Sequence, residues 1–441
     1  MFSPLRNAAY RHLFIAQVAA LLGTGMATVA LGLLAHDLAG ANAGEILGAA
    51  LAIKMIAYIG VAPFASALAA RLPRKTLLVC LDLVRAGVAV ALPFVGQAWQ
   101  VYALMTVLYV ASAAFTPAFQ AMIPDLLSDE AEYTKALSLS RLAADLESVA
   151  SPVVAALLLA VISYNNLFVG TAIGFVLSAG FVVTALLPRP SSAQPLPFLK
   201  RLTGGVRLFA FTPRLRGLLA VSLATAAGGA MVFVNTVVIV QSVFDLAQQA
   251  TAWALAAFGV GSMTAAVVLP RILNRLKDRT AMLMGAGIMT CVLLAGAMIA
   301  RSYPILIGLW IVMGFGYSLT ITPAGRALRR SSSAGDRPAL FAAQFALSHA
   351  CWLIAYPVAG LVSAEANPTA AFLVLSALCA AGLLLGLVVW PAHDPLNVVH
   401  SHDGLATDDP HLAEGARLKD GGVVHAHPVV IDDQHRRWPK S

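Results

Sequence analysis

Twelve long apolar stretches run through this chain of 441 residues, and its positive charge falls in alternate gaps between them. A helix needs roughly 20 apolar residues to cross the hydrocarbon core of a bilayer. In membrane proteins Lys and Arg accumulate in the cytoplasmic loops. Of the 29 Lys and Arg residues, 25 lie in the N-terminal segment, the even-numbered gaps or the C-terminal tail, and only Arg301 lies in an odd-numbered gap. The pattern predicts an all-α polytopic membrane protein with both termini in the cytoplasm.

The composition excludes most soluble classes. Hydrophobic residues make up 59% of the chain and charged residues 11%, whereas soluble proteins hold about 25% charged residues. The net charge of +8 follows the loops, so it indicates topology and no nucleic-acid partner. The four cysteines lie in apolar stretches without a CxxC pair, which predicts no disulfide framework. The first stretch is too long for a cleavable signal peptide, and we expect insertion into the inner (plasma) membrane.

Each apolar stretch predicts one transmembrane helix. We expect the helices at about residues 12–34, 45–68, 76–96, 99–122, 139–162, 166–187, 216–241, 248–271, 280–300, 303–325, 339–363 and 368–390. The basic segment 188–215 has a linker composition and predicts an interfacial helix near Phe198–Phe211. It separates an N-terminal six-helix bundle, residues 1–187, from a C-terminal bundle, residues 216–391, which the tail 392–441 follows.

The two halves resemble each other in sequence. An offset of about 205 residues aligns four pairs, which are Gly23 with Gly228, Met26 with Met231, Arg74 with Arg279, and Pro152 with Pro357. Several matches at one offset indicate a duplicated unit. Because each unit holds an even number of helices, the repeats are parallel, and transporters of this design bind their substrate near the midplane between repeats.

Over about residues 10–391 the chain resembles the major facilitator superfamily. The loop Ser66–Lys75 is similar to the signature of that family, with Ala70 and Pro73 in place of its usual Asp and Gly. The resemblance implies two six-helix bundles and a gating role for the basic residues Arg71, Arg74 and Lys75. The segment Phe115–Leu126 resembles the drug- and siderophore-exporting branch of the family.

Two pairs of opposite charges occur inside predicted helices. Asp82 and Arg85 are three residues apart near the cytoplasmic end of the third helix, and Arg141 and Asp145 are four apart on the fifth. Both spacings predict ion pairs on one helix face. The alternative for Asp82, Arg85 and Arg141 is a role in gating, because ionisable groups are costly inside a membrane.

Two further charges lack a local partner. Glu147 has no basic residue four positions away, so it is predicted to carry a proton or contact a cation, unless it is hydrated at the aqueous boundary. Lys54 lies well inside the second helix. We expect either an ion pair with Asp37 or Glu45 that closes the external face, or a substrate or coupling role.

The eleventh helix carries a stripe with a spacing of three or four residues, formed by Phe341, Phe345, His349, Trp352 and Tyr356. An imidazole can bind metals and titrates near physiological pH. His349 is therefore a candidate for substrate or proton handling, with a simple hydrogen bond to a neighbour as the alternative. By the repeat offset, His349 corresponds to Ala144, which is adjacent to Asp145.

The tail holds seven of the ten histidines, including the His-x-His pairs His400/His402 and His425/His427. Its polar composition predicts a disordered segment that binds metal loosely or serves only as a solvated tail. Together with the segment Arg337–Trp352, the tail resembles nickel-resistance exporters of the same superfamily.

These observations predict a monomeric secondary transporter that exports a divalent cation, nickel first, in exchange for protons. Asp145, Glu147, His349 and Lys54 are the predicted substrate and proton pathway. Two alternatives stay open, which are export of amphipathic drugs or siderophores, and a membrane metal sensor that does not transport. The chain contains no Walker, GxSxG, HExxH or CxxC motif, so we expect neither an enzyme nor a cofactor.

Overall fold

The computed structural model of the chain is an almost entirely helical bundle. It describes residues 2–39, 43–69, 73–159, 161–186, 198–394, 397–401, 417–419, 422–427, 429–431, 435 and 438. The α-helices in this part of the chain are α1 Ala8–Ala39, α2 Ala43–Ala69, α3 Arg74–Ala91, α4 Ala98–Leu126, α5 Glu130–Leu159, α6 Tyr164–Thr184, α7 Phe198–Phe211, α8 Pro213–Val237, α9 Gln248–Leu273, α10 Asp278–Ile299, α11 Tyr303–Ile321, α12 Ala324–Arg330, α13 Arg337–Glu365 and α14 Pro368–Val389.

The predicted transmembrane helices appear in the expected order. The first six correspond to α1–α6, and the remaining six correspond to α8–α11, α13 and α14. Among the described residues, eleven helices are long and apolar enough to cross a membrane. The 30-residue helix α5, which carries Arg141, Asp145 and Glu147, is the one predicted span outside that set. Helix α7 has the bounds predicted for the interfacial helix.

Matching helices of the two halves pack in the same way. Helix α1 packs on α6 as α8 packs on α14, and α2 packs on α4 as α9 packs on α11. Both of the first two contacts depend on a glycine, because a Cβ atom at Gly174 or at Gly382 would lie 2.7 Å from a backbone oxygen of the facing helix. Small residues allow such close backbone approach in membranes. The bundle therefore consists of two six-helix units with equivalent internal packing.

The interface between the halves is formed by two equivalent helix pairs, α2 with α13 and α5 with α9. We call the face at which α1, α5 and α8 begin and α14 ends the terminal face. Contacts near both chain ends define it. Ser3 donates a hydrogen bond to Glu132 at the start of α5 (2.8 Å), and Asp394, just after α14, accepts from Arg214 at the start of α8 (2.7 Å).

Three short segments of the tail form strands in the structure, and the disorder expected for the tail as a whole stays a prediction. Strands β1 Val398–Ser401, β2 Arg417–Lys419 and β3 Gly422–His427 form an antiparallel sheet in the order β1-β3-β2. Ile431 is buried in a cluster with residues of α7, α8, α10, α12 and α13, and Val429 is also buried. Composition alone did not indicate this contact because the apolar surface that covers Ile431 belongs to distant helices.

Asp394 anchors the start of the tail. Arg214 donates to both of its oxygens, at 2.7 and 2.5 Å, and the Trp390 indole donates to one of them at 3.2 Å. Burial by itself raises the pKa of Asp394, but the hydrogen bonds and charge of Arg214 outweigh it, and the pKa lies below its ordinary value. The carboxylate is therefore held ionised.

Candidate functional site

Charged side chains connect the two halves at the terminal face. Asp125 at the end of α4 contacts Arg74 of its own half at 2.6 Å, and it also pairs with Arg337 at the start of α13 in the other half. The Asp125 side chain is only 14% exposed. One carboxylate thus joins a guanidinium group from each half.

Helix α12 makes a second set of contacts across the interface. Arg326 lies 2.7 Å from Glu130 of α5 and 3.0 Å from Asp278 of α10, and it donates to the Thr134 hydroxyl at 2.8 Å. The Arg329 guanidinium lies 5.2 Å from the centre of the Tyr133 ring. We call Arg74, Asp125, Glu130, Arg326 and Arg337 the terminal-face cluster. Sequence reasoning treated the α12 arginines only as topology signals, although acidic residues end α4 and begin α5.

The three basic residues of the signature-like loop differ in what they do. Arg74 belongs to the terminal-face cluster, as its predicted gating role requires. Lys75 donates instead to the backbone oxygen of Ala185, at the end of α6 (3.1 Å), where a positive charge favours the helix terminus. Arg71 lies outside the described residues.

The Asp82–Arg85 pair lies within the N-terminal half. The two side chains are in direct contact, and Asp82 also accepts from the Ser178 hydroxyl at 2.7 Å. The Arg85 guanidinium lies 4.0 Å from the Phe115 ring centre and 4.5 Å from that of Phe175. The predicted pair is confirmed, but its location near the end of α3 is wrong, because α3 runs from Arg74 to Ala91 and Asp82 is at its middle.

The Arg141–Asp145 pair reaches into the other half. Arg141 donates to Asp145 at 3.0 Å, as predicted, and the Ser262 hydroxyl of α9 donates to Asp145 at 2.5 Å. The Arg141 guanidinium also lies 5.2 Å from the ring centre of Tyr317 in α11. The pair therefore links α5 to two helices of the C-terminal half.

Lys54 occupies a polar and aromatic site between the halves. Its ammonium lies 5.6 Å from the ring centre of Tyr58 and 6.0 Å from that of Tyr109, within the range of cation–π attraction. Glu147 of α5 is the acidic group that acts on it electrostatically. Asp37, one of the predicted partners of Lys54, accepts from the Tyr164 hydroxyl at 2.5 Å, and a contact between Asp37 and Lys54 is not among the described ion pairs. The side chain of Glu45 lies outside the described residues.

The Glu147 side chain packs against the backbone of α1 at Gly25. A Cβ atom at Gly25 of α1 would lie 2.6 Å from the Glu147 Oε1 atom and 2.1 Å from the Ser151 hydroxyl. Glycine at this position therefore lets the carboxylate approach α1. Glu147, like Lys54, is partly exposed.

His349 joins the group around Lys54. Its Nδ1 atom lies 2.7 Å from the backbone oxygen of Phe345. Because a carbonyl oxygen only accepts, Nδ1 carries the proton, and a neutral ring then presents a lone pair at Nε2. The ring meets Tyr58 of the other half edge-on, with centres 4.8 Å apart. The hydrogen bond to a neighbour, given as the alternative, is thus confirmed, and Nε2 keeps the capacity to accept a proton or bind a ligand.

The aromatic stripe of α13 divides between two environments. Phe341 is buried in the core, whereas Phe345 and His349 contact Tyr58. Trp352 continues the stripe into a cluster that we call the aromatic wall, formed by Phe233, Phe258, Tyr317, Trp352 and Tyr356.

The aromatic wall lies on the side of the C-terminal half that meets the N-terminal half. Phe233 contacts rings from α9, α11 and α13 and is 44% exposed. The guanidinium of Arg141, from α5 of the N-terminal half, lies 5.2 Å from the ring centre of Tyr317 in this wall. The sequence revealed only the α13 members of this wall, because the other rings come from separate helices.

The predicted metal ligands of the tail are only partly described. His400 lies directly opposite His425 in the pairing of β1 with β3, and His427 lies opposite Val398. His402 lies outside the described residues. Among the residues that the structure describes, no group of three or more His, Cys, Asp or Glu is arranged to hold a metal ion.

Comparison with known proteins gives the same picture of the fold. The chain is 27% identical over 219 residues to the uncharacterized MFS-type transporter YfiS of Bacillus subtilis (strain 168), a match that covers 47% of this chain and 51% of that protein. It thus spans about half the length of that relative. The crystal structure of the human organic anion transporter MFSD10 (TETRAN) superposes with a TM-score of 0.74 at 14% identity, covering 86% of this chain and 99% of that one.

The sequence profile of the Major Facilitator Superfamily matches residues 13–301 and 218–407. These ranges include both six-helix units, the interface between them and every cluster described above except the tail strands β2 and β3. The chain therefore belongs to the Major Facilitator Superfamily.

Proposed function

We propose that the protein is a secondary active transporter that exports an amphipathic organic solute in exchange for protons, working as a monomer in the inner (plasma) membrane. The observation that carries the proposal is the contrast between the two ends of the interface. Ion pairs close the terminal face, while partly exposed polar and aromatic groups of both halves meet deeper between them. Such an arrangement fits one state of an alternating-access cycle.

The distribution of basic residues supports a cytoplasmic terminal face. The segments that carry nearly all Lys and Arg lie at that face, and these residues accumulate in cytoplasmic loops. On this orientation the structure corresponds to the outward-facing state. Opening of the terminal-face cluster would then admit solute from the cytoplasm.

The chemistry of the cleft favours an organic solute over a metal ion. The ammonium of Lys54 lies beside Tyr58, the residue that His349 of the other half contacts, and a divalent cation bound there would be repelled by that positive charge. The aromatic wall and the rings of Tyr58 and Tyr109 instead offer flat apolar surfaces. Ligand sites for organic molecules combine such surfaces with a few placed polar groups. These features therefore support an organic solute ahead of the nickel ion that the sequence analysis put first.

Glu147 is the proposed proton carrier. When it is ionised, it stabilises the ammonium of Lys54, and when it binds a proton that support is lost. Lys54 then interacts more strongly with a polar or anionic group of the solute. Binding of a proton and binding of a solute are thereby linked through one charge pair, as exchange requires.

Transport in proteoliposomes tests the proposal. The probes are two permanently charged aromatic compounds, N-methylacridinium and anthracenesulfonate, which do not leak through lipid. Purified protein should accumulate at least one of them when a pH gradient is imposed. Glu147→Gln should abolish this accumulation but keep solute counterflow, since counterflow needs no net proton movement. Glu132→Gln is the matched control, because Glu132 pairs with Lys135 within one half.

Three results would contradict the proposed transport or the proposed role of Glu147. Accumulation of neither probe by the parent protein would contradict an organic substrate of this class. Unchanged gradient-driven transport in Glu147→Gln would contradict the coupling role of Glu147. A variant that loses both transport modes while remaining folded would mean that Glu147 serves solute binding and not coupling.

Nickel export remains a second candidate because of one observation in the tail. His400 and His425 are register partners in neighbouring strands, and imidazole is a common ligand of nickel, copper and zinc. Flux of radioactive nickel in sealed vesicles with a pH gradient tests this candidate. The parent should move nickel, and deletion of residues 392–441 should change its affinity; absence of nickel flux in the parent would exclude it.

A further inference from the structure

The indole of Trp352 occupies a slot on α8 that only glycine provides. A Cβ atom at Gly229 would lie 2.2 Å from the Cη2 atom of Trp352, 3.0 Å from Cζ3 and 3.2 Å from Cζ2. These three atoms belong to the outer, six-membered ring of the indole. The edge of that ring therefore lies directly on the bare backbone of α8.

The remaining surroundings of the indole limit where it can move. Tyr317 lies on one side with ring centres 6.5 Å apart, and Tyr356 lies on another at 4.9 Å. Tyr317 is itself buried and packs against Phe258 at 5.2 Å. Because interiors are close-packed, a methyl group at position 229 cannot push the indole further into this wall.

The open direction leads into the cleft. Trp352 follows His349 by one helical turn on α13, and His349 faces Tyr58 of the opposite half. Phe233 lies 6.0 Å from the indole and is 44% exposed, and Arg141 of the opposite half lies 5.2 Å from the ring centre of Tyr317. An indole displaced from α8 would thus occupy the region between the halves.

We propose that Gly229 is a specificity-determining residue. By holding the Trp352 indole flat against α8, it keeps the cleft wide enough for a polycyclic planar aromatic solute, which stacks on the aromatic wall. The inference rests on the proposed function, since it takes the cleft to be the solute site. It names the solute class more narrowly, as a planar molecule of about three fused rings.

A ring-size series tests the inference. One set of probes is N-methylpyridinium, N-methylquinolinium and N-methylacridinium, and a second is the sulfonates of benzene, naphthalene and anthracene. Charge stays constant within each set while the planar area grows. Gly229→Ala should raise KM about tenfold or more for the three-ring members and less than about twofold for the one-ring members, since extra carbon atoms in a fitted pocket have effects of this size.

A second substitution gives the test its control. Trp352→Phe removes the outer ring that contacts Gly229 but also part of the aromatic wall, so the Trp352→Phe single variant is the reference for the double variant. Gly229→Ala should raise the KM for three-ring solutes in the parental background and leave it unchanged in the Trp352→Phe background. A general loss of stability would affect both backgrounds equally. Gly308→Ala serves as the matched glycine control, because a Cβ atom at Gly308 meets no atom within 4 Å.

Several results would overturn the inference. One is an equal change in KM for all ring sizes in Gly229→Ala, and another is an equal effect of Gly229→Ala in the parental and the Trp352→Phe backgrounds. If the parent transports none of these probes, the proposed function fails. Binding is then measured separately, as the quenching of Trp352 fluorescence by each probe. The Trp352 signal is the fluorescence of the parent minus that of Trp352→Phe. Quenching that does not depend on ring number, or no quenching, would reject the role of Gly229.

Discussion

Asp125 is the carboxylate on which two guanidinium groups converge, one from each half, so its replacement should change the balance between closed and open terminal faces. The substitution Asp125→Asn keeps the size of the side chain and removes its charge. Arg74 and Arg337 then lie close together without the anion between them. The closed state loses two attractions and gains a repulsion, and the open state, in which the halves separate, is largely unaffected.

The size of the effect follows from the exposure of the three side chains. An exposed ion pair contributes about 0.2–1 kcal/mol, whereas removing one partner of a buried pair costs about 3–5 kcal/mol. Asp125 is 14% exposed, Arg337 16% and Arg74 24%, which lies between these limits. We expect a loss of about 1–3 kcal/mol, which changes the ratio of closed to open molecules by about 5- to 150-fold.

Distance measurements between spin labels provide the assay. The labels are attached at Ala131→Cys and Ala334→Cys, exposed positions near the terminal face on opposite halves, after replacement of the four native cysteines. Asp125→Asn should add or enlarge a population with a longer distance. Glu132→Gln removes an equal charge at the same face, but Glu132 bonds only Ser3 and Lys135 among the described contacts, all within one half, and should leave the distances unchanged.

Two outcomes would refute the reasoning. An unchanged distance distribution in Asp125→Asn would mean that the cluster does not bias the equilibrium between states. An equal shift in Glu132→Gln would mean that net charge at this face matters and the contacts of Asp125 do not.

Three further predictions concern stability and the tail. Asp394→Asn should lower the melting temperature by a constant amount above about pH 4, and the difference between parent and variant should shrink below that pH. The reason is that a carboxylate with a depressed pKa contributes stability that is lost as it gains a proton. A difference in melting temperature that shrinks between pH 6 and 8 would contradict this. Gly25→Ala should cost about 1–3 kcal/mol by overpacking against Glu147, whereas Gly32→Ala on the same helix, with open space around it, should be neutral in thermal unfolding. Deletion of residues 392–441 should expose the apolar cluster that covers Ile431 and lower the melting temperature, while transport persists. Complete loss of transport in a protein that remains folded would favour the alternative of a membrane sensor.

Features that depend on local geometry were predictable from the sequence. The helix order, the linker helix α7 and the pairs Asp82–Arg85 and Arg141–Asp145 all follow from apolar length or from spacing on one helix. Such contacts form whenever the helix forms, so tertiary structure is not needed to infer them.

Features that depend on how helices pack were not predictable. Glu147 acts on Lys54 from a different helix, and His349 contacts Tyr58 of the other half. The repeat offset assigns equivalent positions along the chain, but it does not fix the rotation of each helix about its axis. A shift of one residue turns a helical side chain by about 100°, which decides whether it faces the cleft or the lipid.

Access of water to the cleft is the most direct test of the account. Cysteines introduced by His349→Cys and by Leu146→Cys, each in a background without native cysteines, are exposed in intact cells to a membrane-impermeant maleimide. Leu146, next to Glu147 on α5, is 55% exposed on the bundle surface and serves as the lipid-facing control. The account predicts rapid labelling of the variant at His349, protection by a transported solute, and no labelling at Leu146. Labelling at His349 by a lipid-soluble maleimide alone would mean that this side chain faces the acyl chains, which contradicts a shared cleft between the two halves.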